Sequence, residues 1–215
     1  MIPDDVSRDS RPRLSFGVLG GSFDPPHYGH LALAETARIQ LGLARVLFVP
    51  AGQPPHKTQQ QLSDPEERVA MVQAAIDADA AFALSRVDVD RPGPHYSVEM
   101  LELLRAQYPE VTAWFFLMGE DSLHDLPTWY EPESLLQQAT LAVMPRRSKR
   151  VDMDAFQAQF PQLAARMRLI WLDVPPVDFS ATDLRRRARV GLPLRYLVPT
   201  AVEAYVQSKK LYARR

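Results

Sequence analysis

Six short apolar runs, at residues 14–19, 46–49, 82–87, 112–117, 141–144 and 168–172, each end in a turn, and most lead into a helix-patterned stretch. Strands separated by helices cannot pair as tight hairpins, so this order predicts an α/β protein with a parallel sheet flanked by helices. Helices are expected at 28 to about 40, 65–78, 98–107, 132–138, 153–165, 182–190 and 200–209. No repeat or low-complexity linker breaks the alternation. In an open parallel sheet the ligand crevice lies beyond the carboxyl ends of the strands. The loops after the first, second, fourth and fifth runs carry most of the chemically distinctive residues, so they are expected to converge there.

The first of these loops, residues 20–30, reads Gly20, Gly21, Ser22, Phe23, Asp24, Pro25, Pro26, His27, Tyr28, Gly29, His30. Gly20 and Gly21 are expected to end the strand, to adopt backbone angles closed to other residues, and to let a ligand approach the main-chain N–H groups. Pro25 and Pro26 stiffen the turn, and a helix starting near Tyr28 puts His27 and His30 on one face. A helix N-terminus offers unpaired N–H donors and partial positive charge, so the unit is built to hold an anion, with the imidazoles as added donors. Gly29 is expected to clear space for a phosphate oxygen, at a helix cost of roughly 1 kcal/mol relative to Ala. The run reads as a triphosphate site.

Composition narrows the class. With 215 residues, 46% hydrophobic and 24% charged, the chain can bury a full core. Residues 1–12 read as a disordered tail, and 13–215 as a single domain with a small helical C-terminal part from about 180. The absence of cysteine excludes disulfides, thiolate zinc sites and a cysteine nucleophile; with no export signal recognised, a cytoplasmic protein is expected. No apolar stretch is long enough for a membrane span, so no membrane partner is expected. A net charge of −1 argues against broad neutralisation of nucleic-acid phosphates, although basic residues cluster at 146–150 and 185–189.

Other constellations each carry two readings. Lys57, beyond Pro54 and Pro55, can reach the outer phosphates of a nucleotide or be an ordinary surface cation, with His56 orienting its loop. Ser97 is expected to cap a helix whose first N–H groups either read a substrate carboxylate or are simply capped, while Tyr96 covers an aromatic ring. In Gly119, Glu120, Asp121 and Ser122, Asp121 is placed to accept from ribose hydroxyls and Glu120 to point outward. Trp129, beside Tyr130, stacks on a pyridine or purine face or packs in the core. Ser180, Thr182 and Arg185 open a helix with phosphate-binding donors; Ser180 also fits a plain cap, and Arg186, Arg187 and Arg189 a solvated face.

His27, Gly29 and His30 form the His-x-Gly-His signature of a nucleotidyltransferase superfamily, and the motifs from Leu14 to Tyr212, including residues 194–199, resemble those of bacterial nicotinate-nucleotide adenylyltransferases. The resemblance implies a Rossmann-like parallel sheet with a small helical C-terminal part. It implies transfer of the adenylyl group of ATP to nicotinate mononucleotide, giving nicotinate adenine dinucleotide and pyrophosphate. By the same resemblance His27 and His30 bind the ATP phosphates and stabilise the transition state. Gly20, Gly21, Ser22, Phe23, Lys57, Gly119, Asp121, Ser180, Thr182 and Arg185 serve ATP. Tyr96, Ser97, Trp129, Tyr130 and Arg146 serve the mononucleotide. Magnesium is expected to arrive on the ATP phosphates without protein ligands. Two positions depart from the family pattern: Ala181 replaces a second serine in the late phosphate motif, and Ser22 stands where threonine is common. Alternative readings are a nicotinamide-mononucleotide or pantetheine-phosphate adenylyltransferase, or a nucleotide sensor without catalysis.

Overall fold

The computed structural model describes residues 14–53, 62–146, 150–174 and 179–213. Six strands, β1 (Ser15–Gly21), β2 (Arg45–Pro50), β3 (Phe82–Leu84), β4 (Ala113–Gly119), β5 (Thr140–Met144) and β6 (Leu169–Trp171), form one sheet in the order β3-β2-β1-β4-β5-β6. Every pairing is parallel, as the alternation of runs requires. The order reverses direction between β1 and β4, which is the switch point where open α/β sheets place their ligands.

The register shows how that switch point opens. β1 pairs with β4 only as far as Val18 opposite Phe116. β1 nevertheless stays with β2 to Gly21 opposite Pro50, and β4 stays with β5 to Gly119 opposite Met144. The two central strands therefore part before they end, and a crevice forms between their carboxyl ends.

Helices α1 (Tyr28–Leu41) and α2 (Pro65–Ile76) cover one face, where Leu33, Ala34, Ala37, Val72 and Ile76 pack on Val46, Phe48 and Leu19. The other face takes α3 (Ser97–Gln107), the short α4 (Glu120–Asp125), α5 (Pro132–Gln138), α6 (Met153–Gln159) and α7 (Pro161–Arg166), whose Leu101, Leu104, Leu123, Leu135, Phe156 and Leu163 join Phe16, Val18, Trp114 and Phe116. Helices α8 (Ala181–Arg189) and α9 (Thr200–Ser208) build a third cluster, in which Leu184, Leu194, Val198, Val202 and Val206 close around Met71 of α2. No helix among the described residues is long and apolar enough to cross a membrane.

Three local expectations change. The single helix expected at 153–165 is two, because Pro161 has no N–H to continue the first and instead starts the second. β3 stops at Leu84, since the Arg86 carbonyl accepts from the N–H groups of Val89 and Asp90 and turns the chain. The loop expected at 119–122 is instead the start of α4, which runs from Glu120 to Asp125.

Candidate active site

At the start of α1 the His27 and His30 rings stack, with centroids 3.7 Å apart and planes 17° from parallel. His27 occupies the cap position and its N–H donates to Nδ1 of His30 at 3.2 Å. That bond makes Nδ1 of His30 an acceptor, so the neutral ring carries its proton on Nε2. Burial, and next the positive charge of Arg146, lower the His27 imidazole from 6.5 to about 4. His27 is therefore neutral at pH 7 and can act there through hydrogen bonding.

The glycines do different work from that expected. Gly20 and Gly21 are the last two residues of β1 and end the strand as expected, but neither takes a positive φ; the left-handed residue of the loop is Phe23, with φ 48°. Its ring is buried edge-on against His30 (4.9 Å) and beside Phe48 (5.8 Å), contacts that offset a backbone cost of about 1 kcal/mol. A Cβ on Gly29 would come within 3.0 Å of Nδ1 of His27, so this glycine makes room for the imidazole itself.

The crevice holds two adjoining cavities. The larger, about 580 Å³, is lined by Gly20, Gly21, Ser22, Phe23, His27 and His30 on one side and by Gly119, Asp121, Arg146, Ser180, Thr182 and Arg185 on the other. The smaller, about 310 Å³, is lined by Tyr96, Ser97, Trp129 and Tyr130, with Asp88 and His95. Gly20, Gly21, Ser22, Phe116, Ser122 and Trp129 line both, so one wall joins the two spaces. Arg146 belongs to the larger cavity and not to the smaller. Lys57 and His56 lie outside the described residues.

In the smaller cavity the Tyr96 and Tyr130 rings sit 4.3 Å apart, 32° from parallel. Trp129, half-buried, meets Phe116 edge-on at 5.9 Å, so it packs on the core and lines the cavity as well. The cap of α3 is Tyr96 rather than Ser97, because Tyr96 keeps extended angles while its carbonyl already accepts from Met100, which makes Ser97 the first helical residue. The Tyr96 side chain does not itself cap this turn. His95 accepts from the Gln53 N–H at 2.7 Å through Nδ1 and donates to the Arg91 carbonyl at 3.0 Å through Nε2. Arg91 bridges Asp88 and Glu99, each at 2.9 Å.

On the far side Glu120 turns inward, against expectation. Its carboxylate is buried and accepts from the N–H groups of Arg146 and Val151, both at 2.8 Å. Asp121 faces the cavity with Arg146 Nε at 3.3 Å. Ser180 does cap α8, accepting from Asp183 N–H at 3.5 Å. Arg185 reaches the cavity while donating to the Asp24 carbonyl at 2.8 Å and to Thr182 Oγ1 at 3.3 Å.

Behind the loop stands Arg68 of α2, a residue that no motif in the chain marks out. Its buried guanidinium donates to the carbonyls of Ser22 (3.0 Å), Ala51 (2.6 Å), Gly52 (3.1 Å) and Ser63 (3.1 Å). It thereby ties the loop after β1 to the loop after β2. Among the described residues no group of three or more acidic or histidine side chains could cage a metal ion.

The cytidylyltransferase-like family model matches residues 18–187. Over 196 residues the chain is 48% identical to a probable nicotinate-nucleotide adenylyltransferase of Thermomicrobium roseum, covering 91% of this chain and 90% of the relative. It is 42% identical to the correspondingly named protein of Herpetosiphon aurantiacus, covering 91% and 97%. The fold is also that of Plasmodium falciparum nicotinic acid mononucleotide adenylyltransferase, solved in complex with NaAD, with a TM-score of 0.74 at 15% identity over 93% of this chain and 97% of that one.

Proposed function

We infer the reaction from one premise: this chain belongs to the cytidylyltransferase-like family and, within it, to the nicotinate-nucleotide adenylyltransferases. It transfers the adenylyl group of ATP to nicotinate mononucleotide. A phosphate oxygen of the mononucleotide attacks the α-phosphorus of ATP, the bond to the bridging oxygen breaks, and pyrophosphate leaves with the electron pair. The observation that carries this reading is the wall shared by the two cavities at Gly20, Gly21 and Ser22, beside the stacked histidines.

The larger cavity takes ATP and the smaller the pyridine end of the mononucleotide. Tyr96, Trp129 and Tyr130 provide aromatic faces, and the N–H groups opening α3, which the Tyr96 side chain leaves uncapped, favour a carboxylate over an amide. Gly20, Gly21, Ser22 and Phe23 shape the phosphate loop, and Lys57 assists at the outer phosphates. Gly119 gives Asp121 and Arg146 room at the nucleotide, since a Cβ there would collide with Asp121. Ser180, Thr182 and Arg185 add donors for phosphate. Arg146, which the resemblance assigns to the mononucleotide phosphate, lines the larger cavity and not the smaller, so it would serve that phosphate where it meets the ATP phosphates.

A phosphomonoester is largely dianionic at neutral pH, so the attacking oxygen needs no protein base. What the site must do is bring two anions into line and stabilise charge passing to pyrophosphate. Neutral His27 and Nε2–H of His30 act as donors in that task. Magnesium, which binds largely through phosphate oxygens and water, would be held through the ATP phosphates by the residues proposed to bind them, Ser180, Thr182 and Arg185 among them, and would supply charge neutralisation there.

Pyrophosphate release from ATP and magnesium with nicotinate mononucleotide tests the reading, with nicotinamide mononucleotide as comparator. Absence of release with both would overturn the enzyme assignment, and equal rates would overturn the carboxylate argument.

A further inference from the structure

The His27 loop is held from behind by the end of the chain, at three points. The Tyr28 N–H at the start of α1 donates to the Leu197 carbonyl at 3.2 Å. Arg185 of α8 donates to the Asp24 carbonyl at 2.8 Å. Tyr212, beyond α9, donates its hydroxyl to Asp24 Oδ1 at 2.6 Å. Asp24 is wholly buried and its other oxygen accepts from the Ser63 N–H at 3.1 Å. Between the second and third of these ties and His27 lie only Pro25 and Pro26, a segment with little freedom to absorb a shift.

We propose that Tyr212 is a positioning residue for adenylyl transfer: acting through Asp24, it sets the height of the His27 loop against the larger cavity. The inference rests on the functional reading above. A buried carboxylate is a strong acceptor, and a short phenol bond to it is a directional constraint. Burial, and the charge of Asp24, push the Tyr212 phenol upward, so it keeps the proton it donates. Without that hydroxyl Asp24 Oδ1 loses this donor in a buried setting, and the carboxylate is expected to swing toward Arg185, whose Nη1 already lies 3.9 Å from Oδ2. The backbone from Asp24 to His27 moves with it. Near an in-line transfer, displacements well below 1 Å suffice to slow chemistry by about tenfold.

The chain contains its own control. Tyr205, on α9, donates at the same 2.6 Å to Glu67, a partner on α2 and not on the His27 loop. Tyr205→Phe therefore deletes a comparable phenol–carboxylate bond from the same C-terminal part. Steady-state pyrophosphate release with ATP, magnesium and nicotinate mononucleotide, and thermal unfolding, are measured for wild type, Tyr212→Phe and Tyr205→Phe. The expected result is a kcat about tenfold lower for Tyr212→Phe, with mononucleotide KM within twofold of wild type, and a wild-type kcat for Tyr205→Phe. The proposal is overturned by a wild-type kcat in Tyr212→Phe, or by an equal kcat loss in Tyr205→Phe, which would make the effect one of general stability. Failure of the functional reading is a separate result, visible as wild-type protein that releases no pyrophosphate.

Discussion

The N–H of His27 donates to Nδ1 of His30 while the two rings lie stacked at 3.7 Å, so the cap of α1 and the orientation of both imidazoles are one arrangement. His30 completes the helix start and presents Nε2–H as a donor in the same conformation.

His30→Ala should therefore cost turnover far more than folding. If His30 donates to developing phosphate charge as proposed, its loss is worth about 10²–10³ in kcat, whereas the orphaned His27 N–H costs roughly 1 kcal/mol. Pyrophosphate release and urea unfolding on the same variant separate the two, and an unchanged kcat refutes the donor role.

Stability should fall with acid in a way that belongs to His27. Its folded pKa, about 4, lies below the unfolded 6.5, so the unfolded state binds more protons between these values and stability rises with pH across that window. Moving from pH 7 to pH 5 costs about 2 kcal/mol from this group alone. Urea midpoints at the two pH values, compared with those of His27→Gln, isolate it; a variant with the same acid loss as wild type would show that other groups are responsible.

Gly29→Ala offers a test of what the glycine is for. Alanine gains roughly 1 kcal/mol of helix propensity, but its methyl comes within 3.0 Å of the His27 ring. The expected variant is about as stable as wild type and markedly slower. If it is slower only through a raised ATP KM, with kcat intact, the glycine clears space for the phosphate and not for the imidazole.

Arg68→Met should be among the most damaging changes outside the cavities. Four carbonyls lose their shared donor in a buried setting, for about 3–5 kcal/mol. Arg68→Lys recovers only part, because an ammonium has three donors and no planar fork. Thermal unfolding of both variants checks the order; equal stability of the lysine variant and wild type would contradict it.

Much of this was legible in the chain because it is local. Alternating apolar runs and helical segments dictate a parallel sheet, the helical stretch from Pro65 starts where α2 does, and the spacing of His27 and His30 puts them on one face at a helix start. These depend on backbone sterics and on periodicities that neighbouring residues already encode. What tertiary structure alone decided depends on contacts between distant segments. Phe23, not a glycine, takes the left-handed angle because Phe48 and His30 pack its ring. Glu120 turns inward because two N–H groups from 146 and 151 meet it there. Arg68 and Tyr212 reach the loop before His27 because α2 and the last described residues fold behind it, 46 and 188 residues away from their partners Ser22 and Asp24. A buried polar group is placed by where its hydrogen-bond partner ends up, and no spacing along the chain records that.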